Sequence, residues 1–124
     1  MPASISLGSI SLDCADAVAL ASFYSSLLGA PIAFSSEAFA AIKLDNGVWL
    51  STQHVDDYRP PRWPDSSAPQ QLHLDLRVID LDAAEATALG LGATKPSNQP
   101  RPESWRVLID PAGHPFCVTT LIPD

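Results

Sequence analysis

The sequence predicts an α+β fold made of two βαβββ modules. A strand, an acidic residue, an alanine-rich helical stretch and a Leu-Gly-Ala stop occur in that order twice, roughly half a chain apart. Each copy is followed by three short strand-like runs bounded by turn residues. Hydrophobic residues make up 46% of the chain, an ordinary share for a globular core.

The first module spans about residues 4–54. A strand over 9–13 leads to a helix that starts at Ala15 or Asp16 and ends at Leu28. Asp13 or Asp16 offers a carboxylate to the free N–H groups of the first turn, and Gly29 supplies the left-handed stop. Leu20, Phe23, Tyr24, Leu27 and Leu28 recur at helical spacing and form one apolar face. Strands follow over 31–35, 39–44 and 48–53, the last two joined by the turn Asp45-Asn46-Gly47.

Residues 55–69 are polar and carry Pro60, Pro61, Pro64 and Pro69, which predicts a stiffened connection. Trp63 within it needs a surface to pack against. The second module spans about 70–122. Its strand, 70–78, alternates: Leu72, Leu74, Leu76 and Val78 point toward the module's own helix, while Gln71, His73, Asp75 and Arg77 point the other way. The helix covers 81–91, with Leu81, Ala84, Ala88 and Leu91 on its buried side and Gly92 as its stop. Strands follow over 93–95, 105–109 and 115–121, and Asp110-Pro111-Ala112-Gly113 has the residues of a β-turn.

The net charge of −7, from 14 acidic and 7 basic residues, repels phosphate backbones and anionic headgroups. Nucleic acid and membrane surfaces are therefore not expected as partners. No apolar run reaches the roughly 20 residues that span a bilayer, and Met1-Pro2-Ala3-Ser4 lacks the basic and apolar regions of a signal peptide. A cytoplasmic location is expected. Cys14 and Cys117 make no C-x-x-C pair and are expected as unbridged, buried thiols.

The polar face of strand 70–78 is the most informative feature. An imidazole beside a carboxylate, His73 and Asp75, suits general acid–base chemistry or polar-ligand recognition. The same alternation also describes any strand with one wet face. Trp49 and Trp105 offer rings for a planar ligand or for the core, and Phe116 suits the core better. Arg59, Arg62, Arg101 and Arg106 fall in or beside the longer loops, where arginines either ring a cavity mouth or are solvated. His114 lies in a turn and reads as structural. No Ser-His-Asp order, phosphate-binding glycine loop or dinucleotide fingerprint is present.

Phe23-Tyr24 followed by Leu28-Gly29, then His73-Leu-Asp-Leu-Arg-Val78 and Asp110-Pro-Ala-Gly-His-Pro-Phe116, resemble the vicinal oxygen chelate superfamily and, within it, the small glyoxalase-like and bleomycin-resistance-like proteins. Trp63-Pro64 in the connection and Gln70-Gln71 before the second strand belong to the same resemblance. It implies a U-shaped, mixed eight-stranded sheet enclosing a cup (the glyoxalase/bleomycin resistance/dioxygenase fold), a single domain over 1–124 and a homodimer. Trp49, Gln53, Trp63, Gln71, His73, Arg77 and Trp105 are then the ligand-binding candidates, and His73 and Asp75 the catalytic ones.

The resemblance also implies four metal-ligand positions, on the first and last strands of each module. They fall on Ser6, Gln53 or His54, His73 and Thr120. That set lacks a carboxylate, a poor donor set for a hard divalent ion. No cofactor is expected, with His54 and His73 the candidates should a divalent metal bind. The expected function is metal-free binding of a small organic molecule in the cup. The alternative is a lyase, isomerase or dioxygenase, using either a metal or His73–Asp75 acid–base chemistry.

Overall fold

The computed structural model describes residues 3–65 and 67–123; Met1 and Pro2 of the N-terminal stretch, where no signal peptide is expected, and residue 66 of the expected connection lie outside them. The chain divides into two compact units, residues 1–58 and 59–124, so the boundary falls inside the expected connection.

The first unit holds β1 (Ser9–Cys14), α1 (Ala17–Leu28), β2 (Ile32–Ser35), β3 (Phe39–Lys43) and β4 (Trp49–His54). Asp16, not Asp13, caps α1: its side chain accepts from Ala19 N at 3.0 Å, and Gly29 ends the helix at φ 63°. The sheet order is β1-β4-β3-β2, with β1 parallel to β4 and the other pairs antiparallel. Register sorts the side chains into two faces. Leu12, Ala40, Ile42 and Leu50 are buried beneath α1 with Leu20, Phe23 and Tyr24 of the helix. Leu27 and Leu28 of the expected helix face are only half-buried. The opposite face carries Ser9, Ser11, Phe39, Trp49 and Ser51.

The second unit holds β5 (Leu74–Arg77), α2 (Leu81–Leu91), β6 (Trp105–Ile109) and β7 (Pro115–Thr119), ordered β5-β7-β6 with β5 parallel to β7. Asp80 caps α2 by accepting from Ala83 N at 3.1 Å, and Gly92 closes it. Leu81 and Ala88 are buried on α2 as expected, but Leu91 is exposed. Leu108, Phe116 and Val118 form the core under the helix. Phe116 is thus core, not ligand-facing. Arg106 also points to the helix side, where it donates to Asp82 at 2.7 Å. It does not line a cavity mouth.

The expected eight strands are seven among the described residues. The run 93–95 makes only a one-residue bridge, Thr94 to Ile109. Pro96 has no N–H to continue the ladder, and the Gln99 side chain takes over the edge of β6. Its amide donates to Val107 O and accepts from Val107 N, both at 2.9 Å. The expected strand 70–78 is also shortened to Leu74–Arg77, and Leu72 is 67% exposed, outside the core.

The connection is not a bare linker. Arg62 N donates to Ala68 O, and Pro60 packs against Gly113 in the Asp110 turn. That turn closes with Gly113 N donating to Asp110 O at 2.9 Å, while the buried Asp110 carboxylate accepts from Ala112 N and His114 N. Within the described residues no helix is long and apolar enough to cross a membrane.

Candidate functional site

In the second unit, the sheet face turned away from α2 opens into a cavity of about 430 Å³. That volume suits a small organic molecule. Strand pairing builds its floor. Asp75 pairs with Cys117, and Cys117 with Val107; one step on, Thr119 pairs with Trp105. Side chains at paired positions share a face, so Asp75, Cys117, Val107, Thr119 and Trp105 all point into the cavity. His73 joins them from the residue before β5, and Trp63 and Gln70 close the wall. Trp63 of the connection thus finds its packing surface here.

The polar end of the cavity is a three-residue cluster. His73 Nε2 lies 3.2 Å from Asp75 Oδ1, with both side chains about half exposed. Asp75 also accepts a hydrogen bond from the Cys117 thiol. Burial, then the Asp75 charge and that bond, push the thiol up to about 11. Cys117 is therefore a neutral thiol near pH 7, and it is half-buried rather than fully buried as expected. Cys14 is buried, with its thiol toward Gln53 O.

The apolar end is set by Trp105, over which the Arg101 guanidinium sits 5.7 Å from the ring centroid. Between the two ends, the Gln70 amide oxygen is buried and has no hydrogen-bond partner among the described residues. Buried acceptors of this kind are nearly always satisfied in folded proteins.

Of the residues expected at the site, the structure brings together His73, Asp75, Trp63 and Trp105. Gln71 is exposed and its neighbour Gln70 takes the cavity position, because the chain is not yet a strand there and strict alternation does not apply. Arg77 shares the face by pairing with Thr119 but does not line the cavity. Trp49 lies in the first unit, in a separate opening of about 520 Å³ that it shares with Phe34, Phe39 and Ser51. Gln53 sits at the exposed end of β4 and lines neither.

Gln70 and Cys117 were not expected as site residues. A signal for Cys117 existed: it alternates with Pro115 and Thr119 on the last strand, beside the strand that follows His73. Gln70 gave none beyond its place in the Gln70-Gln71 pair.

The expected metal quartet does not fit. Ser6 is exposed ahead of β1, and Thr120 is exposed beyond the end of β7. His54 is committed locally: Nδ1 donates to Ala15 O at 2.7 Å and Nε2 faces Asp56 Oδ1 at 2.9 Å. The Ala15 carbonyl and, after it, Asp56 raise the His54 pKa, because both contacts favour the protonated ring. A metal at either ring nitrogen would have to displace the Ala15 or the Asp56 contact. A different donor group does exist, since one ligand atom each from His73, Asp75 and Cys117 lie within 4.8 Å of one another. It contains the carboxylate that the expected quartet lacked, because residues two apart on a strand share a face and Asp75 reaches His73 directly.

Comparison with known proteins gives a consistent fold. A possible glyoxalase from Bacillus cereus superposes with TM-score 0.70 at 16% identity, covering 94% of this chain and 99% of that one. A glyoxalase/bleomycin resistance protein/dioxygenase family enzyme from Burkholderia phytofirmans PsJN gives 0.71 at 15% identity, with 95% and 100% coverage. The fosfomycin resistance protein FosX from Listeria monocytogenes, complexed with Mn(II) and a dihydroxypropylphosphonic acid, gives 0.69 at 15%, with 98% and 95% coverage. No curated protein matches the sequence. The family model for the glyoxalase-like domain matches residues 9–119, nearly the whole chain. With the two similar units and their αL-capped helices, the match over nearly the whole chain places the protein in the glyoxalase-like domain family.

Proposed function

We propose that the chain binds a small organic molecule in the cavity of its second unit, with a flat ring against Trp105 and Trp63 and an N–H or O–H group donating to Gln70 Oε1. The observation that carries this reading is the buried, unpartnered Gln70 oxygen in the wall of a cavity of about 430 Å³. Leaving such an acceptor unsatisfied costs about 1–3 kcal/mol, which a ligand donor would recover. The tryptophans add large, rigid contact area. The carboxylate of Asp75 and the imidazole of His73 supply charge and hydrogen bonding at the far end.

The test is thermal shift and tryptophan fluorescence across a broad panel of aromatic metabolites and antibiotics. A true ligand at a hundred times its Kd should stabilise the fold by about 2.7 kcal/mol. Trp105→Ala and Gln70→Leu should each weaken its binding. If nothing in the panel stabilises the protein, or if both variants bind as the parent does, the reading is wrong.

The His73–Asp75 contact favours a second reading, a lyase or isomerase in which His73 moves a proton while Asp75 orients its ring. Turnover abolished by His73→Ala, with ligand affinity retained, would select it over simple binding.

A further inference from the structure

We propose that His73, Asp75 and Cys117 form a three-donor site for a thiophilic divalent cation of the zinc class, at the polar end of the second unit's cavity. The three ligand atoms already lie within 4.8 Å of one another. Two of the three positions are fixed by the sheet, since Asp75 and Cys117 are paired residues of parallel strands. His73 follows from a spacing of two along the same chain segment, and its Nε2 is 3.2 Å from the Asp75 carboxylate.

Donor chemistry decides which ion fits. One sulfur, one nitrogen and one oxygen suit zinc-class tetrahedral coordination, with the fourth position open to the cavity. Magnesium, calcium and manganese favour oxygen-rich sets and have little use for a thiol. Carboxylate and thiolate together balance the charge of a dication, which the quartet of Ser6, Gln53 or His54, His73 and Thr120 could not do. Two of the three donors lie outside that quartet, so the ion preference is a property of this chain's own residues.

Binding needs one proton to leave. The Cys117 S–H bond breaks, its proton passes to solvent, and the sulfur electron pair forms the metal bond; Asp75 exchanges the thiol's hydrogen bond for the ion. A zinc-class ion held this way supplies Lewis-acid polarisation of a ligand oxygen. The inference concerns the cavity of the proposed ligand site but needs no organic ligand. Metal titration without ligand and aromatic binding in chelator can therefore fail separately.

The test uses the full chain, stripped with chelator and titrated anaerobically with Co(II) as the probe ion. One equivalent should bind and give thiolate-to-cobalt charge-transfer absorption in the near ultraviolet. Zn(II) should displace the cobalt and Mg(II) should not. Cys117→Ser should remove the band and Cys14→Ser should leave it. His73→Ala and Asp75→Asn should weaken binding by more than the roughly 10–100-fold that losing an outer-shell partner costs. X-ray absorption of the zinc-loaded parent should show a sulfur neighbour, a readout that holds even if a variant fails to fold. Absence of the band at saturating cobalt, its survival in Cys117→Ser, or a zinc environment without sulfur would overturn the proposal.

Discussion

Asp75 and Cys117 stand opposite one another on the parallel strands β5 and β7, and the carboxylate accepts the thiol's hydrogen bond. Burial acts first and the anion second, and both hold the proton on sulfur: the thiol moves from 9.0 to about 11. At neutral pH this leaves roughly a hundredfold less thiolate than an ordinary cysteine carries. In a Cys14→Ser background, alkylation by iodoacetamide should be correspondingly slow and should rise only as pH approaches the folded value. Asp75→Asn should speed it. Because the folded state holds this proton more tightly, stability should fall as pH climbs from about 9 through 11. An alkylation profile that titrates at or below 9 would contradict the geometry.

His54 should titrate above its ordinary 6.5, as followed by NMR of its ring protons. The Ala15 carbonyl is the larger cause and Asp56 the smaller. Asp56→Asn should therefore lower the value only in part. The sign for stability is definite. A raised folded pKa contributes fully below 6.5 and is lost as pH rises through the folded value. Parent and His54→Ala melting temperatures should differ most in acid and converge above that point. The ring is exposed and the solvent-facing pair is screened, so the difference should be small.

Gly113→Ala should be among the more damaging single-methyl changes in the chain. Gly113 sits at φ +94°, and a Cβ there would come within 2.5 Å of Pro60 Cβ. Left-handed strain and the clash together should cost at least about 1–3 kcal/mol. The loop that carries Trp63 rests on this contact, so denaturant melts and ligand affinity should worsen together.

Gln99→Ala should expose both backbone groups of Val107, a buried residue of the edge strand. A loss of about 1–3 kcal/mol is expected. Hydrogen exchange at the Val107 amide should accelerate while that of Phe116 on β7 stays protected. Equal protection in the variant would mean that another segment pairs with β6.

Much of the architecture was legible in local chemistry. Asp16 and Asp80 are caps because a short carboxylate before an alanine-rich run can reach free N–H groups. Gly29 and Gly92 are stops because they accept positive φ. The missing eighth strand was not legible: 93–95 has strand-like residues, but whether they pair depends on Gln99, which competes for the same edge. Arg106 looked solvent-bound for a similar reason, since its partners Asp82 and Glu85 are remote in sequence.

Local sequence was enough for the two-unit order, both helices with their ends, and the polar series that includes His73 and Asp75. These follow from neighbours one to four residues apart, where backbone geometry leaves few choices. Long-range packing settled the rest: Cys117 completes the cluster, Gln70 rather than Gln71 enters the wall, and His54 is tied to Ala15 and Asp56. The Cys117 contact depends on which strands become neighbours and in what register. Register is set by burial of the whole apolar face under the helix, a sum over distant residues that no local pattern contains.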